Sequence, residues 1–345
     1  MGRDGSRLSA DTRIYYRIRP MAGPPLTVTR TDPREVVDIV RRHAGVSGKA
    51  AIAAVAGFVD PSDPVHGPGD DGAVVELDGA RAVVCGEAIA PQFVRSDPYG
   101  AGIASVLANV NDVAAMGGVP KAIVNTVIGR DADLSEVLRG MRDAADMYEV
   151  PIVGGHLTGA DSDAALSAFA LGQVRTPLSM ANVRPGQAVL FAACLDGTMR
   201  TDFPFFTSIA QQRPTLARDV RLLARLADLG AAVAAKDVSM AGALGSLAML
   251  LEFTRHGVDV DLDRLPVPAD TDPLRWLIAF PTYGFWLAAP QDRAADCRRV
   301  FEQHGLACAQ VGAVNESTRM TVRSGGRQAH LLDLATESIT GLWAS

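Results

Sequence analysis

Residues 107–118 read LANVNDVAAMGG, and this stretch narrows the possible folds more than any other in the chain. Between residues 96 and 119 the only acidic or basic side chains are Asp97 and Asp112, and Asp112 lies within a run of small apolar residues. Wound as a helix at about 100° per residue, Ile103, Val106, Leu107, Val110, Val113 and Ala114 form an apolar stripe, while Ser105, Asn109, Asp112 and Met116 fall on another face. A face turned to water carries Lys, Glu or Arg. This one carries a hydroxyl, an amide and one carboxylate, which predicts a helix covered on all sides with Asp112 aimed into something polar. A buried carboxylate persists only when paired, hydrogen-bonded or bound to a metal. The competing reading is a helix-interior Asp satisfied by local hydrogen bonds.

At 345 residues the chain has room for two domains. Its formal net charge of -6 gives no basic surface for nucleic acid or an anionic membrane, so neither is an expected partner. Cys85, Cys194, Cys297 and Cys308 are widely spaced with no CxxC pair, which fits reduced structural thiols. No segment approaches the apolar length of a membrane-spanning helix and the N-terminus lacks a signal-peptide core, so the expected location is the cytoplasm.

Residues 1–30 are expected to be a disordered, Arg-rich leader, with Met21 an alternative start. A domain over 31–178 and a second over 179–345 follow, divided at the Pro, Asn and Gly of TPLSMANVRPGQ. In the first, TDPREVVDIVRRH predicts a capped helix and residues 47–58 an Ala-rich one. AVVEL and RAVVCG read as a hairpin, KAIVNTVIG and AALSAFALGQV as strands, and residues 134–148 as an amphipathic helix. In the second, strands are expected at AVLFAACLDG, VDVDL, TYGFWLAA, LACAQVGAV and RMTVR. Helices are expected over 214–230, over 291–303 and near the C-terminus. Strands and helices mix in both halves, so the fold class is α+β, or mixed α/β.

Asp70 and Asp71 read first as the turn DDG entering the hairpin. Together with Glu87 they also bring carboxylates to one end of a sheet, the donor set that Mg²⁺ uses while bridging substrate phosphates. In VPIVGGHLTG, Gly154 and Gly155 form a tight turn that permits close ligand approach, with His156 and Thr158 adding side-chain contacts. After Lys236 and Asp237 no charge appears until Glu252, so a second small-residue helix is buried, and Asp237 and Ser239 are N-cap candidates for it. The GxxxxGK[ST] phosphate loop, GxSxG, HExxH and a strand-linked GxGxxG are all missing. Scattered acids on small-residue turns remain, the composition of a Mg²⁺-polyphosphate site built without a P-loop.

GDDGAVVEL, LANVNDVAAMGGVP, VPIVGGHLTG, RPGQ and KDVSMAGALGSLAMLLE, in that order, resemble the AIR synthase superfamily over roughly residues 35–320. That group includes selenophosphate synthetase, thiamine-monophosphate kinase and formylglycinamidine ribonucleotide synthetase. The resemblance implies an N-terminal half-barrel domain that forms a homodimer, a C-terminal α/β domain, and ATP with Mg²⁺ between them. It implies Asp70, Asp71, Glu87 and Asp112 as metal positions, and Gly154, Gly155 and His156 as the GGD, GGE or GGH turn. Gly100, Gly102, Asn109 and Thr158 join these as candidate nucleotide contacts, and Lys236, Asp237 and Ser239 as candidate substrate contacts. Glu87 stands where the kinase pattern has Asp, Met240 where it has the second Asp of DVSDG, and Lys49 lacks the Cys partner of the selenophosphate enzyme. The expected activity is phosphoryl transfer from ATP to an oxygen of a small molecule, by a kinase or a synthetase. His156 and Asp112 are the catalytic candidates. The alternative is a non-catalytic nucleotide-binding or assembly subunit that retains the fold.

Overall fold

Alternation along the strand Ala165–Val174 sets the architecture of the first half: Leu166, Ala168, Ala170 and Val174 are buried, and Phe169 and Leu171 are exposed. The computed structural model describes residues 26–27, 31–58, 69–161 and 164–343. Most of the expected leader and of the loop before Gly69 lie outside the described residues. The strand is the centre of a five-stranded sheet in the order Ala73–Leu77, Ala80–Ile89, Ala165–Val174, Val119–Gly129, Ile152–Gly159. All pairs are antiparallel except the last, which is parallel.

The buried face of this sheet is covered by the helices Pro98–Ala115 and Asp131–Tyr148. The first begins where the Asp97 carboxylate accepts the Gly100 N–H at 2.8 Å, with Pro98 supplying a helical φ. It ends at Met116, where Gly117 takes a φ of +72° and the Gly118 N–H reaches the Val113 carbonyl at 2.9 Å. The two helices cross at glycine. A Cβ on Gly102 would collide with the Val137 carbonyl, and one on Gly140 with the Tyr99 carbonyl.

In the second half a seven-stranded sheet runs in the order Ala234–Asp237, Gly284–Ala289, Ala188–Ala193, Ala307–Asn315, Gly257–Asp261, Arg319–Ser324, Arg327–Asp333. Every residue of Ala188–Ala193 is buried because the sheet is covered on both faces. Ala188, Leu190 and Ala192 enter one core with the Asp112 helix, while Val189, Phe191 and Ala193 enter another with the helix Gly242–Glu252. The first core therefore runs without a break from one sheet to the other.

Several local expectations are corrected. Residues 47–58 are not an α-helix. After a short helix Ala44–Ser47 the chain winds as a 3-10 helix over Gly48–Gly57 with no buried residue to hold an amphipathic face. The helix expected over 214–230 is broken into Leu216–Asp219 and Leu222–Asp228. No helix forms at the described C-terminus. Residues 338–340 are instead fixed to the buried Glu252 carboxylate, which accepts the Thr340 N–H at 3.2 Å, the Thr340 hydroxyl at 3.0 Å and the Ser338 hydroxyl. Among the described residues no helix is long and apolar enough to cross a membrane.

Candidate metal centre

Asp112 is 6% exposed and, among the described residues, no donor reaches its carboxylate. Two other acids meet it. Carboxylate oxygens of Asp71, Asp112 and Asp237 all lie within 4.8 Å of one another. Each comes from a different element: Asp71 from the segment entering the first sheet, Asp112 from the buried helix, and Asp237 from the end of an edge strand of the second sheet.

Hydrogen bonds fix this meeting. Asp71 accepts the backbone N–H of Asp237 at 2.9 Å and is ion-paired with Lys236. The Lys236 ammonium also donates to Asp237 at 2.8 Å. When all three carboxylates are ionised, the one ammonium leaves two negative charges with little water to screen them. Burial, followed by the charges of Asp237, Asp71 and Glu87, pushes Asp112 well above the ordinary carboxylate range. Burial likewise pushes Asp71 up to about 7, although Lys236 opposes it. The Lys236 ammonium loses hydration to burial, yet Asp237 and Asp71 outweigh that loss and raise its pKa.

A divalent hard cation fits this donor set, because the donors are all oxygen and the uncompensated charge equals its own. Two further oxygens close in sequence are buried and unpartnered: Ser239 Oγ, and Asn111 Oδ1, whose amide nitrogen is bonded to the Thr282 carbonyl at 3.1 Å. Buried polar atoms seldom stay unpaired in a finished site.

The four acids expected to bind metal thus separate. Asp71 and Asp112 are in the cluster. Asp70 turns away to accept the Ser179 hydroxyl at 2.6 Å and the Met180 N–H at 2.8 Å, tying the start of the first sheet to the connector. Glu87 is not a member of the cluster and its residue reaches the surface. The protein still crowds it enough that desolvation, and then the Asp237 charge, raise its pKa, with Lys49 and Lys236 opposing. Asp237, expected as a helix cap or substrate contact, supplies the third carboxylate. It ends the strand Ala234–Asp237, and the following helix is capped at Ala241. Met240 is 50% exposed, and its carbonyl accepts from His43 at 2.9 Å.

The nucleotide candidates also divide. Asn109 is fully buried and spends its amide on the Ser105 and Ala168 carbonyls at 2.8 and 3.1 Å, joining the helix to the sheet. Gly100 completes the Asp97 cap, and Gly102 makes the helix crossing. Both lie at the opposite end of the helix from Asp112. Gly154, Gly155, His156 and Thr158 are within the strand Ile152–Gly159 and not in a turn after it. Gly155 is required there because a Cβ would strike the backbone and side chain of Asn125 on the neighbouring strand. This edge strand stands three inter-strand spacings from the strand of Glu87, about 14 Å. His156 therefore does not join the acids within one chain.

The signature of the N-terminal domain of AIR synthase related protein matches residues 69–174, and that of the C-terminal domain matches residues 208–325. The chain belongs to the AIR synthase related family. This AIR synthase related protein is 31% identical to an uncharacterized protein of Synechocystis over 79% of this chain and 86% of that one. It is 30% identical to an uncharacterized protein of Methanocaldococcus jannaschii over 89% and 99%. A thiamine-monophosphate kinase of Rhodopirellula baltica is 28% identical over 58% of this chain and 65% of its own length. Among solved structures, Thermotoga maritima PurL complexed with ADP superposes with a TM-score of 0.71 at 20% identity, covering 89% of this chain and 51% of PurL. The present chain thus spans about half of PurL, and the likeness shows the AIR synthase fold.

Proposed function

We propose that this AIR synthase related protein is an ATP- and Mg²⁺-dependent enzyme that transfers a phosphoryl group to an oxygen of a small molecule, in the manner of a kinase or a synthetase. The observation that carries the proposal is the convergence of the Asp71, Asp112 and Asp237 carboxylates within 4.8 Å around an uncompensated double charge. These residues would hold Mg²⁺, which when bound neutralises charge on phosphate oxygens. Among relatives, thiamine-monophosphate kinase is a kinase by name, and PurL and ThiL were crystallised with ADP and with AMPPCP respectively. Gly154, Gly155, His156 and Thr158 are all exposed and available to a nucleotide, and Ser239 offers an unpartnered hydroxyl to phosphate or substrate.

Thermal stability with ATP, with and without Mg²⁺, tests the proposal. The melting temperature rises with ATP only when Mg²⁺ is present, and ADP appears once an acceptor is supplied. No shift at any concentration removes the reading. A shift without ADP release from any acceptor favours the nucleotide-binding subunit, which is also the reading suggested by the distance of His156 from the acids.

The shift also depends on pH. Asp71, raised to about 7, faces Lys236, Asp237 and Asp112, and a metal takes only its ionised form. Since the folded state holds a proton that the unfolded chain releases near pH 4, metal-free stability falls as pH climbs from about 4 to about 7. The Mg²⁺-dependent increment grows over the same window.

The open face of the first sheet supports a homodimer. Val84, Val124, Val153, Leu157, Phe169 and Leu171 are between 38% and 63% exposed there, a continuous apolar surface that a single chain leaves in water. We place a second copy of the chain on it. Phe169→Asp is expected to convert a dimer to monomer in sedimentation; a wild-type chain that is monomeric at all concentrations overturns the assignment.

A further inference from the structure

The acid cluster contains one feature that a plain metal site does not need, a lysine inside it. Lys236 is 5% exposed, with its ammonium held between Asp71 and Asp237. It occurs on the edge strand immediately before Asp237, so the same backbone segment delivers an anion and its counter-ion to one point. The backbone on both sides is fixed, since the Asp237 N–H is bonded to Asp71 and the strand is paired with Gly284–Ala289. A lysine stem is long enough to reach water from most positions. This one stays inside. Among the described residues, the polar partners of its ammonium are these two carboxylates.

We infer that Lys236 is a built-in cation that occupies one metal position of the cluster, so that this chain binds one divalent ion where the same carboxylates without the lysine would bind two. The inference rests on the reading of Asp71, Asp112 and Asp237 as metal ligands. Its physical basis is charge and space: the ammonium is a compact point charge, similar in reach to a hydrated-metal contact, and it already bridges two of the three carboxylates. With Lys236 present, the remaining double charge is matched by a single divalent ion. Without it the cluster carries three negative charges, one more than a single divalent ion neutralises, and the position between Asp71 and Asp237 that the ammonium fills is left for a second ion.

The probe is Mn²⁺ alone, counted by equilibrium dialysis and by the loss of its free-ion electron paramagnetic resonance signal, on the full chain and without nucleotide. The wild type is expected to bind one ion per chain. Lys236→Met is expected to bind two, to melt lower than the wild type without metal, and to recover with excess Mn²⁺ by a larger increment than the wild type shows. Lys236→Arg, which keeps the charge, is expected to retain a count of one. A Lys236→Met protein that binds one ion with unchanged affinity, or that loses the ion, overturns the inference while leaving the metal site itself in place. Absence of Mn²⁺ binding in every protein overturns both. Should Lys236→Met fail to accumulate as folded protein, Lys236→Gln prepared in excess Mn²⁺ decides. Folding that depends on the metal supports the substitution of an ion for the lysine, and failure of both variants to fold with Mn²⁺ present overturns it.

Discussion

Asp112→Asn is expected to abolish the Mg²⁺-dependent thermal shift with ATP and to lower turnover by on the order of 100-fold or more, the scale on which loss of one electrostatic contact at a reacting phosphate acts. Its effect on the metal-free protein has the opposite sign. Asp112 is buried beside Asp71 and Asp237 with no donor to its carboxylate, so removing its charge relieves repulsion. Burial first, and then the charges of Asp237, Asp71 and Glu87, disfavour the ionised carboxylate, so the variant is expected to be more stable than the wild type without metal. In the wild type, ligand at one hundred times its dissociation constant adds about 2.7 kcal/mol, and the variant forgoes that gain. Differential scanning calorimetry in the two conditions measures both signs. A variant that is less stable without metal and still responds to Mg²⁺ would show that the carboxylate serves the fold and not the ion.

Gly102→Ala is expected to destabilise the protein by about 2 kcal/mol in chemical denaturation, although alanine is the better helix former by about 1 kcal/mol. The two effects compete directly, and the collision decides. The new Cβ meets the Val137 carbonyl, which is backbone and cannot rotate aside, at the point where Tyr99 and Gly140 already touch. The helices must separate. Since Asp112 is carried on one of them, Mg²⁺ affinity is expected to fall with stability. Gly154→Ala is the internal comparison: nothing lies within 4 Å of its Cβ position, and stability is expected to stay within about 0.5 kcal/mol. Equal losses at the two positions would contradict the packing account.

Asp112 was legible in the sequence because the helix around it lacks every side chain that water would require, and burial on all sides is the physical consequence. The mixed α+β class and most strands were legible from alternation and apolar runs for a similar reason. Asp70 and Asp71 were legible as a pair but not individually. In a turn no periodicity tells which carboxylate faces the connector and which the cluster, and that depends on Ser179 and Lys236, more than one hundred residues away. Asp237 was seen, but its cap reading fails because it ends the strand Ala234–Asp237 and the helix is capped at Ala241, four residues later. Gly154 and Gly155 were read as a turn that admits a ligand, whereas both lie inside a strand and Gly155 makes room for the neighbouring strand. A close approach within the chain leaves the same mark on a sequence as a close approach to a phosphate.

The dipeptide Asp70–Asp71 has a further consequence. One carboxylate is bound to residues 179 and 180 and the next to residues 236 and 237, so adjacent residues report on two separate parts of the second half. No flexible chain intervenes to absorb a change in angle between them. The meeting of the three acids therefore depends on how the two sheets sit against each other. A cation held by all three acids would tie the two halves of the molecule to each other.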